Sequence, residues 1–258
     1  MARKTYKTTR ICGYDAESIS VRGKDLVQDL MGRISFAGMV LLQLTGRMPT
    51  EAQTRILDAV LVTIMEHGLV PSAIVTRLTY DGAPESLQGA IVAGLLGVGD
   101  RFAGTASECA VLLEAIVAAP PAARTDTALR LVREHRARKA AVPGFGHAIH
   151  TGGDPRVPAL LSITAAAGGP GEHLAALAQL EDALAAELGR KLVTNVSAAI
   201  AAALGEAGVP AGAMRGIVLT ARCAGLAGHL FEEMQRPAAP ALTEAAAHAI
   251  TYEAERHD

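Results

Sequence analysis

Tryptophan is absent from this 258-residue chain, and phenylalanine and tyrosine number four each, so aromatics make up only 3%. A core built on large rings is excluded, which leaves Ala, Leu, Val and Ile to fill the interior between closely approaching helices. Cysteine is also scarce. Cys12, Cys109 and Cys223 are far apart and odd in number, forming neither a CxxC pair nor a secreted disulfide framework, and a reducing cytoplasm fits them. The net charge of −2 supplies no field for nucleic acid or an anionic membrane, so neither is an expected partner. Glu, Arg or Asp interrupts every candidate membrane span, and polar residues rather than an apolar signal follow Met1. The expected protein is soluble and cytoplasmic. No P-loop and no dinucleotide fingerprint in strand context is present, which argues against a nucleotide-dependent ligase.

Half of the residues are apolar, and the length suits one large domain or two closely joined lobes. The apolar residues recur mostly at helical spacing. Leu26, Leu30, Met31 and Ile34 predict one helix, and Phe36 to Leu44 a second, ended by Gly46. Thr50 and Gln53 form a capping box for a helix running to His67-Gly68. Further helices are expected over 72–80, 85–99, 103–118, 125–139 and 157–167. Two are expected within 172–190, then one from Asn195 to near Gly208, one from Pro210 to Gln235, and a helical tail. The only strand candidates lie before residue 24, so the fold class is all-α.

The most informative stretch is the loop from Pro143 to Arg156, PGFGHAIHTGGDPR, which its glycines and prolines keep out of a regular helix. Gly144 and Gly146 let the backbone turn beside His147, a proton carrier aimed into a cleft, while Asp154 is expected to cap the next helix and Arg156 to lie in its first turn. Taken alone, His147 reads as a surface histidine in a glycine turn, and only the rest of the chain favours the proton carrier. The basic run Arg130, Arg133, Arg136, Arg138 and Lys139 precedes this loop and is read either as a solvated face or as a phosphate contact. His147 and His150 lack Cys or paired carboxylates around them, so no metal site is expected.

Several stretches, taken in order, resemble the citrate synthase family, which includes the citryl-CoA lyases. They are VRGKDL at 21–26, LLQLTGRMPT at 41–50, PGFGH with DPR, Asn195-Val196 with Val209-Pro210, ARCAGLAGH at 221–229, and Arg236-Pro237. The resemblance implies a compact version of the family's two-lobed helical fold, with a large lobe of about 1–100 and 201–258 and a small lobe of about 101–200. It implies a homodimer with a shared active site and a ligand cleft between lobes. No covalently bound cofactor is implied, CoA being part of the substrate, and the small-molecule partners are an acyl-CoA and a di- or tricarboxylate.

Carried over by position, the resemblance makes His147 the histidine beside the oxo-acid carbonyl and His67 a substrate-binding histidine. It makes Arg156, Arg222 and Arg236 carboxylate-binding arginines, the last reaching a partner subunit. Asn195 joins the substrate-binding set, and Val142, Pro143, Gly144, Phe145, Gly146, Arg138 and Lys139 are the implied CoA contacts. His229 reads as a packed histidine. Forked guanidinium donors suit paired carboxylates in a way lysine does not.

Two positions depart from the family pattern. Asp100 stands where the family has a histidine, and Ser197 where it has a carboxylate, and those two groups form the enol of acetyl-CoA. Serine cannot act as that base unaided. An intact oxo-acid half beside a rebuilt acetyl-CoA half points to cleavage of a citryl-CoA-like thioester by a citryl-CoA lyase-type enzyme. The alternatives are condensation, as in a citrate or methylcitrate synthase, and a non-catalytic binder of a CoA ester or carboxylate.

Overall fold

The computed structural model describes residues 7–100, 104–146 and 152–253. Among them the chain forms eleven α-helices and one small sheet, which agrees with the all-α expectation. Two compact units emerge: Met1–Val60 with Thr105–Met214, and Leu61–Gly104 with Arg215–Asp258. The expected lobes group residues 1–60 with the C-terminal segment. Here residues 1–60 pack with 105–214 instead, as when Gln53 Nε2 donates to the Ala207 carbonyl at 3.0 Å.

The first unit opens with β1 (Cys12–Tyr14), β2 (Ile19–Val21) and β3 (Lys24–Asp25), paired antiparallel in that order. The helix expected from residue 24 shrinks to a single π-turn at Leu26–Leu30, because Asp25 is held in the sheet and caps the turn by accepting from Val27 and Gln28 N–H. Val21, Leu30 and Leu42 close a small core beneath it. The helix α1 (Phe36–Thr45) is capped by Ser35 and ends on Gly46 at φ 70°. Helix α2 (Glu51–Met65) begins with the predicted box, Gln53 N–H donating to Thr50 Oγ1 and Thr50 N–H to Gln53 Oε1.

Helices α5 (Thr105–Ala118), α7 (Arg156–Ala166) and α8 (Glu172–Leu188) gather around α9 (Val196–Glu206), and α6 (Arg124–Ala137) packs outside them against α8 and α5. Alanine at 198, 199, 201, 202 and 203 lets its neighbours approach closely, and every residue of α9 except Ser197 is buried. α8 is one helix where two were expected. Its N-terminal amides at Gly171, His173 and Leu174 donate to the buried Glu206 carboxylate, 2.7–3.1 Å away, which fixes the start that a local cap would otherwise supply.

The second unit contains α3 (Pro71–Gly82), α4 (Leu87–Leu96), the C-terminal part of α10 (Ala211–Gln235) and α11 (Ala239–Ala249). α4 lies so close to α3 that a Cβ on Gly94 would fall 2.7 Å from the Ser72 carbonyl oxygen. Val98 and Val218, with Ile64 and Leu219, form a local core. No single helix among the described residues is long and apolar enough to cross a membrane.

Candidate active site

In each unit the structure brings some of the candidate residues together. In the first unit, the segment 143–146 is clamped onto residues 193–195. Gly146 N–H donates to the Val193 carbonyl at 2.7 Å, Asn195 N–H to the Gly144 carbonyl at 2.9 Å, and Asn195 Nδ2 to the Gly146 carbonyl at 2.9 Å. Asn195 also caps α9, its Oδ1 accepting from Ser197 N–H. One side chain therefore fixes both the glycine loop and the helix start. Gly144 sits at φ +93°, and a Cβ there would meet Ala198 Cβ at 2.7 Å and Cys109 Sγ at 3.0 Å. Val142 is buried beneath the loop, and Pro143 and Phe145 are half-buried. His147 and His150 lie outside the described residues. Ser197, half-buried beside Asn195, is the one residue of α9 that is not fully buried.

Arg156 stands in the same unit at the start of α7. Its Nε and Nη2 donate to the two oxygens of the buried Asp154, at 2.9 and 2.8 Å, and its N–H donates to Oδ1 at 3.1 Å. Asp154 thus both starts the helix and orients the guanidinium, one step displaced from the expected cap. Arg138 and Lys139 are exposed where α6 ends. The basic run before them is largely matched by acid: Arg133 and Arg136 pair with Glu187 at 3.0 and 2.6 Å, and Arg130 with Glu134. The Arg133 hydrogen bond holds the Glu187 carboxyl below the usual glutamate value. This face reads as a solvated ion-pair surface, with Lys139 the basic residue nearest the loop that makes no ion pair with a described group.

In the second unit Arg222, Gly225 and His229 lie three and four residues apart on α10 and share one face. That face meets the end of α2. Gly225 makes the approach possible, since a Cβ would stand 2.3 Å from the Met65 carbonyl oxygen and 3.0 Å from Glu66 Oε2. Glu66 Oε1 accepts from the N–H groups of His67 and Gly68, each at 2.8 Å. His229 Nε2 lies 3.0 Å from the same oxygen, off the line of an ideal hydrogen bond, and Arg222 Nη1 lies 3.9 Å away. Burial alone would raise the Glu66 carboxyl, but the His229 contact and the two backbone donors hold it below its ordinary value.

Arg222 is 8% exposed, and its Nη2 donates to the Ile64 carbonyl at 3.2 Å. Its Nη1 is buried without a hydrogen-bond partner. Burial draws this guanidinium below the ordinary arginine value and the Glu66 charge opposes that, yet arginine stays cationic. The result is a buried cation with a donor left over, a suitable receptor for a carboxylate. His67 is exposed at the turn that Glu66 fixes. Arg236 is exposed just beyond α10, and among the described residues its side chain makes no ion pair.

Asp100 is the weakest of the candidates. Its side chain is 79% exposed and is paired with Arg215 of α10, so it is engaged in a surface ion pair. Glu66 and Arg77 were not singled out from sequence. Glu66 directly precedes a candidate histidine, but the spacing gives no sign that it also reaches α10. Among the described residues no group of acidic, His and Cys side chains is placed to hold a metal ion.

Residues 6–240 match the family described as the citrate synthase C-terminal domain. Among solved structures, the chain is 29% identical to citryl-CoA lyase from Hydrogenobacter thermophilus, with a TM-score of 0.84 over 97% of this chain and 96% of that one. It is 23% identical to ATP citrate lyase from Methanothrix soehngenii, solved in complex with citrate and coenzyme A, with a TM-score of 0.76, covering 99% of this chain but 43% of that one. Citrate synthase from Thermotoga maritima MSB8 is 19% identical, with a TM-score of 0.64 over 86% and 57% of the two chains. The last two likenesses concern the fold alone.

Proposed function

The chain belongs to the citrate synthase family, and on that premise we propose that it is a citryl-CoA lyase-type carbon–carbon lyase. Its substrate is a citryl-CoA-like thioester, and its products are oxaloacetate and acetyl-CoA. The observation that carries the reading is the uneven state of the two clusters. The carboxylate-binding side keeps Arg222 buried with Nη1 lacking a hydrogen-bond partner, whereas the start of α9 has a serine, Ser197, where the family pattern has a carboxylate. The likeness to citryl-CoA lyase along nearly the whole of both chains supports the same direction.

In the cleavage direction the first demand is removal of the tertiary hydroxyl proton, a task for His147. The bond between the carbinol carbon and the methylene beside the thioester then breaks. Its electron pair becomes the enolate of acetyl-CoA, and the carbinol becomes the carbonyl of oxaloacetate. Arg156 and Arg222 hold the carboxylates throughout, and Arg236 is assigned to the substrate of a partner subunit in a homodimer. Ser197 supplies a hydrogen bond to the departing enolate, which needs a donor and not a base in this direction, and the enolate carbon then takes a proton from solvent water to become the methyl of acetyl-CoA, while His147 returns its proton to solvent. Asn195, by fixing the Gly144 and Gly146 carbonyls, holds the chain up to the residue before His147. Arg222 Nη1 is closed off from solvent in this conformation, so the surrounding side chains must part before a carboxylate reaches it.

The test is incubation with citryl-CoA. Formation of oxaloacetate and acetyl-CoA is expected, falling by roughly two to four orders of magnitude in H147A. No product, or equal rates in H147A, overturns the reading. Thiol release from acetyl-CoA and oxaloacetate without cleavage selects condensation instead. Tight binding of CoA esters with no turnover selects the non-catalytic alternative, which the surface engagement of Asp100 favours.

A further inference from the structure

The second unit contains a buried polar chain that reaches beyond the carboxylate-binding residues. Arg77 of α3 is 3% exposed, and its guanidinium meets three side chains of α10, those of His229, Glu232 and Glu233. Its Nε and Nη2 lie 3.0 and 2.9 Å from His229 Nδ1, its Nη1 donates to Glu233 Oε2 at 2.6 Å, and Nη2 also donates to Glu232. Glu233 Oε1 in turn accepts from the N–H groups of Ala238 and Ala239, at 2.7 and 2.8 Å, where α11 begins. Arginine has no acceptor, so His229 Nδ1 must offer its lone pair. The neutral ring then carries its hydrogen on Nε2, which faces Glu66 Oε1 at 3.0 Å.

Glu66 Oε1 is thereby held by two backbone donors, His67 N–H and Gly68 N–H, and faced at 3.0 Å by the His229 ring nitrogen, whose line falls outside hydrogen-bond geometry. That oxygen stops 3.9 Å from Arg222 Nη1, short of a direct hydrogen bond. A carboxylate this near a buried guanidinium would ordinarily close to a forked pair and occupy the donor that a ligand needs.

We propose that Arg77 and His229 are positioning residues whose joint effect is to restrain Glu66 and so keep the Nη1 donor of Arg222 available to a substrate carboxylate. This rests on the reading of Arg222 as a carboxylate receptor. Without the ring N–H, Glu66 turns onto Arg222 and competes with the ligand. The effect falls on binding, because neither Arg77 nor His229 meets the reacting atoms.

The two nitrogen positions of His229 can be separated by substitution. In H229N the amide oxygen replaces Nδ1 as acceptor for Arg77 but nothing reaches Glu66, while H229Q replaces the Nε2 donor. The experiment is calorimetric titration with citrate of the wild type, H229N, H229Q and the double variant E66Q/H229N, with thermal unfolding of each. We expect H229N to bind citrate about tenfold more weakly at unchanged unfolding temperature, H229Q to stay within about twofold of wild type, and E66Q/H229N to recover most of the loss, because glutamine cannot neutralise Arg222. Long-range nitrogen NMR of histidine-labelled wild type is expected to show His229 protonated on Nε2 only. Citrate binding by H229N equal to wild type, no recovery in the double variant, or a ring protonated on Nδ1 overturns the proposal while leaving the lyase reading in place. Failure of the wild type to bind citrate removes the carboxylate receptor itself, and the proposal with it.

Discussion

Gly225 of α10 stands so close to Met65 at the end of α2 that an added Cβ would lie 2.3 Å from the Met65 carbonyl oxygen. The contact is to backbone, which cannot rotate aside as a side chain can. It also places Glu66 between Arg222 and His229, so one glycine serves both the packing and the carboxylate-binding cluster. G225A is expected to lower stability by about 1–3 kcal/mol through overpacking. Weaker citrate binding should accompany it, read by urea unfolding and calorimetry. Unchanged stability would show that α10 shifts without penalty.

Gly144 is constrained twice, by its φ of +93° and by Ala198 and Cys109 beneath it. G144A should lower stability by about 1–3 kcal/mol. Because the strain falls on the segment leading into His147, citryl-CoA cleavage should lose kcat more than KM. An unaltered kcat would separate this loop from the chemistry.

Cys109 is fully buried under the same glycine, and burial pushes its thiol up to about 12. The thiolate is the reactive form, so Cys109 should resist iodoacetamide in the folded protein while the exposed Cys12 reacts. Mass-spectrometric mapping of alkylation with and without denaturant checks this. Native labelling of Cys109 would mean that α5 and α9 part readily.

Glu233 supplies a pH dependence whose sign follows from its partners. Burial alone would raise its carboxyl, but the amide of Ala239, the Arg77 guanidinium and the amide of Ala238 hold it below the ordinary 4.5. A lowered folded value means a stabilisation that is complete above the unfolded value and is lost as pH falls through the folded one. Unfolding stability of the wild type should therefore decline below about pH 4.5. E233Q should be less stable at neutral pH by about 1–3 kcal/mol and show a flatter acid limb. Parallel pH curves for the two proteins would contradict this assignment.

Features set by short-range chemistry were legible in the sequence. The Thr50–Gln53 box, the Asn195 cap of α9 and the end of α10 before Arg236-Pro237 each depend on residues a few positions apart, and the structure has all three. Long-range partners were not legible. Glu206 receives the Gly171 amide from 35 residues away, and Arg77 meets His229 from 152 away, distances at which no periodicity carries information. The expected helix from Lys24 failed for a related reason: pairing of β3 with β2 overrode its apolar spacing. The acidic partners of the basic run were hidden in the same way: Arg133 and Arg136 both meet Glu187 of α8.

The borrowed carboxylates at the starts of α8 and α11 bear on how the chain acquires its shape. Neither helix owns the group that satisfies its first amides: α8 takes Glu206 from α9, and α11 takes Glu233 from α10. A short helix without such help is marginal in water. Synthetic fragments spanning 172–188 or 239–249 should thus be largely unstructured, and both segments should become ordered only after the element that lends each its acid has settled.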